Sequence, residues 1–149
     1  VPLVHRTGDL FALGLPALAH GCNCAGSMRG GIAVEFARRW PAMHIEYRER
    51  CASGRFRLGD VFTWATDDVV VYNLATQQRG GADARLDAIE TSIGAALRDA
   101  ADRGVAALGV PRIGSGIGGL DRREVESVLA AAALESPVDV HLVTQAHTR

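Results

Sequence analysis

Apolar positions along the chain follow two rhythms. Six short blocks read as strands: Pro2 to Arg6, Ala17 to Gly21, Asp60 to Trp64, Val69 to Leu74, Ala106 to Val110 and Val138 to Val143. The last alternates Val138, Val140 and Leu142 with polar partners, the period of a half-buried strand. Thr66-Asp67-Asp68 supplies a turn between the third and fourth blocks. The other rhythm is helical. Gly31 to Arg39 spaces Ile32, Val34 and Phe36 as a helix would, and Trp40-Pro41 breaks it. Ala42 to Cys51 is a second helical stretch, ending near Gly54. Asp83 to Arg103 is the longest, with Leu86, Ile89, Ile93, Ala96, Leu97 and Ala100 in one stripe and Gly104 closing it. Asp121 to Leu134 is the fourth, with Asp121 at its N-cap. Strands alternating with helices predict an α/β fold: one domain over residues 1–149, a mostly parallel sheet, helices on both faces.

Ligands of such sheets bind beyond the carboxyl ends of the strands. Two of those ends lead into glycine-rich loops, GCNCAGSMRGG (21–31) and GSGIGG (114–119), each running into a helix. Glycine lets backbone amides approach a ligand closely, and such amides suit phosphate oxygens. Two loops of this kind point to a ligand with two phosphates, or one phosphate and another polar group. Neither loop is a Walker motif, and neither is the GxGxxG of a dinucleotide fold.

Composition changes the picture in one respect. All sixteen basic side chains are arginine, and the chain has no lysine. The codon usage of a GC-rich, bacterial-like genome accounts for this. Whatever its origin, it excludes a lysine Schiff base, a lysine general base and a P-loop lysine. A net charge of −1 disfavours general nucleic-acid binding. Arg38-Arg39 and Arg122-Arg123 read as solvated helix faces that could meet a carrier macromolecule. Three cysteines with a Cys22-Asn23-Cys24 spacing read as reduced thiols, and a cytoplasmic location is the expectation. No apolar run reaches the length of a membrane span, and no signal-peptide pattern stands in the chain as read from Val1. No metal site or cofactor is expected, and a monomer is the default.

The run HGCNCAGSMRGGIAVEFARRWP (20–41) resembles the first ligand loop of macrodomains. The similarity is to the branch of the terminal ADP-ribose protein glycohydrolase, the DNA ADP-ribosyl glycohydrolase antitoxins and the fungal ADP-ribose 1″-phosphate phosphatases. Thr7-Gly8-Asp9-Leu10, RLGDVFTW (57–64), YNLAT (72–76) and Val110 to Asp121 match further family segments in order. The resemblance implies a three-layer fold and an ADP-ribose pocket. In it, Asp9 would accept from the adenine amino group and the Leu10 amide would help fix the ring. Backbone of Gly30, Gly31, Ile32 and Ala33, and of Gly114, Ser115, Gly116, Ile117, Gly118, Gly119 and Leu120, would cradle the diphosphate. Cys22 and Thr76 would belong to the same wall, and Asn23 would face the distal ribose.

The same resemblance marks a departure. The glycohydrolase branch places a lysine after the middle strand, where this chain has Gln77. Glutamine forms no covalent imine, so hydrolysis would rest on Asp121 as base or water orienter, with Asn23 and Gln77 positioning hydroxyls and water. Asp121→Ala would then abolish turnover while affinity survives. His20 matches a histidine of the fungal phosphatases. The implied function is hydrolysis of ADP-ribosyl conjugates, with ester links to acidic side chains the favoured substrate. The implied partner is ADP-ribose, or a protein or nucleic acid carrying it. A non-catalytic ADP-ribose reader and an ADP-ribose 1″-phosphate phosphatase are the alternatives.

Overall fold

A computed structural model describes residues 1–146. Six strands form one sheet: β1 (Val4–Gly8), β2 (Ala17–Asn23), β3 (Val61–Ala65), β4 (Val70–Gln77), β5 (Ala107–Pro111) and β6 (Asp139–Gln145). The helices are α1 (Ala33–Arg39), α2 (Pro41–Ala52), α3 (Leu86–Asp102) and α4 (Arg122–Leu134), with a 3₁₀ turn at Leu10–Ala12. The strand order is β1-β6-β5-β2-β4-β3. All neighbours pair in parallel except β3 and β4, which are antiparallel. The β3–β4 pair is joined by the Thr66 turn, where the threonine hydroxyl accepts from the amides of Asp68 and Val69.

Strand alternation assigns the two apolar layers. Ala17 and Ala19 of β2, with Tyr72 and Leu74 of β4, meet Ile89, Ile93 and Leu97 of α3 and Val125 and Leu129 of α4. Leu18 and Cys22, with Val71 and Ala75, face the opposite way and meet Phe36, Met43 and Tyr47 of α1 and α2. Successive residues on a strand point to opposite faces, so one sheet serves both cores.

Every strand runs past the end of its apolar block, and at β2 and β4 this bears on the site. β2 continues through Cys22 and Asn23, and β4 through Thr76 and Gln77. The two pair to their ends, with a register shift between Cys22 and Asn23. Ladder hydrogen bonds carry the strands past the point where hydrophobicity marks them. Gln77 therefore stands on a strand end, not in a free loop. The helices begin later than expected, at Ala33 and Leu86, because the residues before them are loop.

Candidate functional site

A cavity of about 910 Å³ opens at the carboxyl ends of the parallel strands. That volume suits an organic ligand of several hundred daltons. Its walls come from Asp9 and Phe11 after β1, the end of β2 and the loop after it, Thr76 and Gln77 of β4 with Gly80 and Gly81 beyond, Pro111 of β5 with Arg112 to Gly118 beyond, and Val143 to Gln145 of β6.

The two glycine loops meet over it. Ile117 is 60% exposed, yet its Cδ1 would lie 3.2 Å from a Cβ placed on Gly30. Gly31 holds φ +57°, a conformation that favours glycine. A Cβ on Gly118 would sit 2.7 Å from the Gly114 carbonyl oxygen and 2.8 Å from the Ala84 Cβ. The second loop therefore closes only with glycine at position 118. Among the described residues, the amides of Ile32 and Ala33 and of Ser115 to Gly118 donate to no protein acceptor. Unspent amides on a cavity wall suit an anion.

Most of the expected contact residues lie on this wall. Asp9, Cys22, Asn23, Gly30 to Ala33, Thr76, Gln77 and Gly114 to Gly118 all do. Asp9 caps the 3₁₀ turn, its Oδ1 accepting from the Phe11 amide at 3.0 Å. Asn23 is spent largely on its own loop. Its Oδ1 accepts from the amides of Ala25 (3.0 Å) and Ser27 (3.2 Å), and its Nδ2 donates to the Ser27 carbonyl at 2.8 Å. The Gln77 Nδ-equivalent, Nε2, donates to the carbonyls of Arg79 (2.7 Å) and Gly81 (3.0 Å). That bracing leaves Oε1 as its remaining acceptor. Asp83 completes the loop by accepting from the Gln78 and Arg79 amides, and these donors hold its carboxyl below the usual range.

Five expected positions are off the wall. His20 is fully buried. Its Nε2 donates to Asn73 Oδ1 at 2.6 Å, and its ring stacks on Phe36 at 3.8 Å. Burial lowers its pKa to about 4 against the opposing Asn73 hydrogen bond, so the imidazole is neutral and sealed from the cavity. Asp121 is exposed and caps α4, its Oδ1 accepting from the amides of Arg123 (2.7 Å) and Glu124 (3.4 Å). The catalytic roles expected of His20 and Asp121 thus have no contact geometry behind them. Leu10 packs into the core beneath α1 and α2. Gly119 and Leu120 turn their amides inward, to the carbonyls of Gly116 and Gly114, and so close the loop.

The wall also holds Phe11, Glu35, Arg112, Thr144 and Gln145, which the sequence did not announce, and Arg122, which it offered only as a solvated helix face that could meet a carrier. Arg112 donates from Nε to Thr144 Oγ1 at 3.1 Å and lies 3.7 Å from Glu126. Its place directly before the second glycine loop was the available signal. Glu35 is engaged by Arg38 and Arg39, which hold its carboxyl below the usual range. The Cys22 thiol is pushed up by burial and stays protonated, so the wall offers no thiolate.

The Macro domain family profile matches residues 19–129. A DNA ADP-ribosyl glycohydrolase of Mycobacterium tuberculosis is 31% identical over 139 residues, covering 91% of this chain. The chain spans 40% of that relative's length. An ADP-ribose 1″-phosphate phosphatase of Candida albicans is also 31% identical, over 82% of this chain and 88% of its own. Among solved structures, the macrodomain of Mycobacterium tuberculosis DarG superposes with a TM-score of 0.86 at 29% identity, covering 95% of this chain and 96% of its own. Profile, relatives and fold agree with the glycine-loop cavity, and the chain belongs to the macrodomain family.

Proposed function

We propose that the cavity holds ADP-ribose and that the protein hydrolyses ADP-ribosyl conjugates without a lysine intermediate. The observation that carries this is the arrangement of the wall. Across the sheet, the unspent amides of the loop after β5 stand between the end of β1, which leads to Asp9, and the ends of β2 and β4, which carry Asn23 and Gln77, while those of the first glycine loop line the same cavity. The amides suit a diphosphate, Asp9 suits an amino donor, and the amide side chains suit ribose hydroxyls. Named relatives that act on ADP-ribosyl DNA and on ADP-ribose 1″-phosphate support the ligand class.

The chemistry follows from what the wall lacks. Asp9 follows β1, across the sheet from Asn23 and Gln77, Glu35 is engaged by Arg38 and Arg39, and the thiol is protonated. Hydrolysis then rests on orientation. The second Nδ2 hydrogen of Asn23 holds a ribose hydroxyl, and Gln77 Oε1 accepts from an attacking water. Water oxygen bonds to C1″ as the C1″–O bond breaks, the leaving carboxylate takes the electron pair, and the water proton passes to solvent. An ester link to an acidic side chain suits this site, because a carboxylate needs no protonation to leave. A protein carrier therefore fits best, and a nucleic acid carrier demands more from the same groups. The placement of these carboxylates equally favours a second reading, a reader that binds ADP-ribose without turnover. A phosphatase route through His20 has no support, given its burial.

A panel of defined ADP-ribosyl conjugates separates these readings. Release of ADP-ribose from ester-linked substrate, reduced by Gln77→Ala, is the expected result. Tight ADP-ribose binding with every linkage left intact would make the protein a reader.

A further inference from the structure

Helix α2 reaches the cavity through one side chain that does not touch it. Met43, Tyr47 and Cys51 are spaced by four, so they share the face of α2 that packs on the sheet. Tyr47 is fully buried, with its ring set edge-on to Phe56 at 5.7 Å. Its hydroxyl ends behind the first glycine loop. It lies 2.7 Å from the Asn23 carbonyl oxygen, 3.0 Å from Asn23 Oδ1 and 3.4 Å from the Ser27 carbonyl oxygen. Burial pushes the phenol far up, so it remains a hydrogen-bond donor at any ordinary pH. Cys51 Sγ sits one turn on, 3.9 Å from the same Asn23 carbonyl.

We infer that Tyr47 is a positioning residue for the distal end of the cavity, acting through Asn23. The inference rests on the ADP-ribose reading above. Asn23 Oδ1 accepts from two amides of its own loop, and the single Tyr47 hydroxyl proton is shared between Oδ1 and the nearer Asn23 carbonyl oxygen. The two backbone donors set its orientation, since a flipped amide would point its NH₂ at them. One Nδ2 hydrogen goes to Ser27, and the other is the donor Asn23 offers to a ligand. The loop bonds tie the Asn23 side chain to its own loop, and the β2–β4 ladder holds its backbone beyond a register shift. The Tyr47 hydroxyl adds a tie from a helix anchored in the core, so it steadies the shifted end of β2, and with it the Asn23 donor, beside Thr76 and Gln77. A donor held this way reads the distal ribose, which ADP lacks.

Calorimetric affinities for ADP-ribose and ADP test this in four proteins: wild type, Tyr47→Phe, Asn23→Ala and the double variant. Wild type is expected to prefer ADP-ribose. Tyr47→Phe is expected to lose about fivefold in ADP-ribose affinity, the scale of one hydrogen bond, while ADP affinity changes less than about twofold. In the Asn23→Ala background the Tyr47→Phe change is expected to have no further effect on the preference. Equal losses for both nucleotides, an undiminished ADP-ribose preference in Tyr47→Phe, or additive losses in the double variant would overturn the assignment while leaving the ligand reading intact. A wild type that binds neither nucleotide would overturn that reading and the inference with it. NMR of the unliganded wild type is a second check that needs no variant. A slowly exchanging Tyr47 hydroxyl proton with contacts to Asn23 is expected, and a freely exchanging one overturns the inference.

Discussion

Burial holds the His20 imidazole down at about 4, and this gives the residue a thermodynamic role in place of a chemical one. The unfolded chain takes up a proton near 6.5 that the folded chain refuses, so between those values the unfolded state binds more protons. Stability is therefore full above about 6.5 and falls as pH drops towards 4, at up to ~1.4 kcal/mol per pH unit. His141, also lowered by burial, adds in the same direction. Denaturant melts at pH 7 and pH 5 are expected to show this loss, and His20→Gln to flatten it. An equal pH slope in that variant would move the effect elsewhere. The sequence placed His20 beside the first loop, but side-chain direction on β2 decides its fate. The alternation that faces Cys22 to the α1–α2 layer faces His20 there too, under Phe36. Neither Asn73 nor Phe36 is near it in the chain, so its partners could not be read from spacing.

Helix α4 shows the same competition one level up. Asp121 precedes the first turn with extended backbone and caps two amides. A cap of this kind contributes about 1 kcal/mol. Asp121→Ala is expected to lower stability by that amount, and Asp121→Asn, which also caps, to retain both stability and turnover. Loss of turnover in a stable Asp121→Asn protein would restore the carboxylate to the chemistry. The cap was legible in the sequence, and so was the existence of all six strands and four α-helices among the described residues. Strand ends were less legible. Thr76 and Gln77 carry no apolar signal, and only pairing of β4 with β2 extends the strand through them. That extension puts Gln77 on a rigid element, where its Nε2 braces the Gly80-Gly81 loop.

At the scale of the molecule, two apolar layers fasten one sheet and the loops at its carboxyl end are left to bind. Leu129, wholly buried among α3, α4 and the sheet, reports the first layer. Leu129→Ala is expected to cost about 2–5 kcal/mol without changing the cavity wall, measured by denaturant unfolding. Layering and topology were readable because periods of two and of about four alternate cleanly along the chain. The cavity was readable in its glycine loops, which announce themselves locally. Its remaining wall was not, because Phe11, Arg112 and Thr144 converge only once β1, β5 and β6 lie side by side. The proposed function requires those loops to bind one diphosphate ligand. Titration calorimetry of ADP-ribose into wild type and Gly118→Ala tests it most directly. One site per chain is predicted, with affinity markedly weakened in the variant, where a Cβ must displace the Gly114 carbonyl. No saturable binding by the wild type, or undiminished affinity in a folded Gly118→Ala protein, would contradict it.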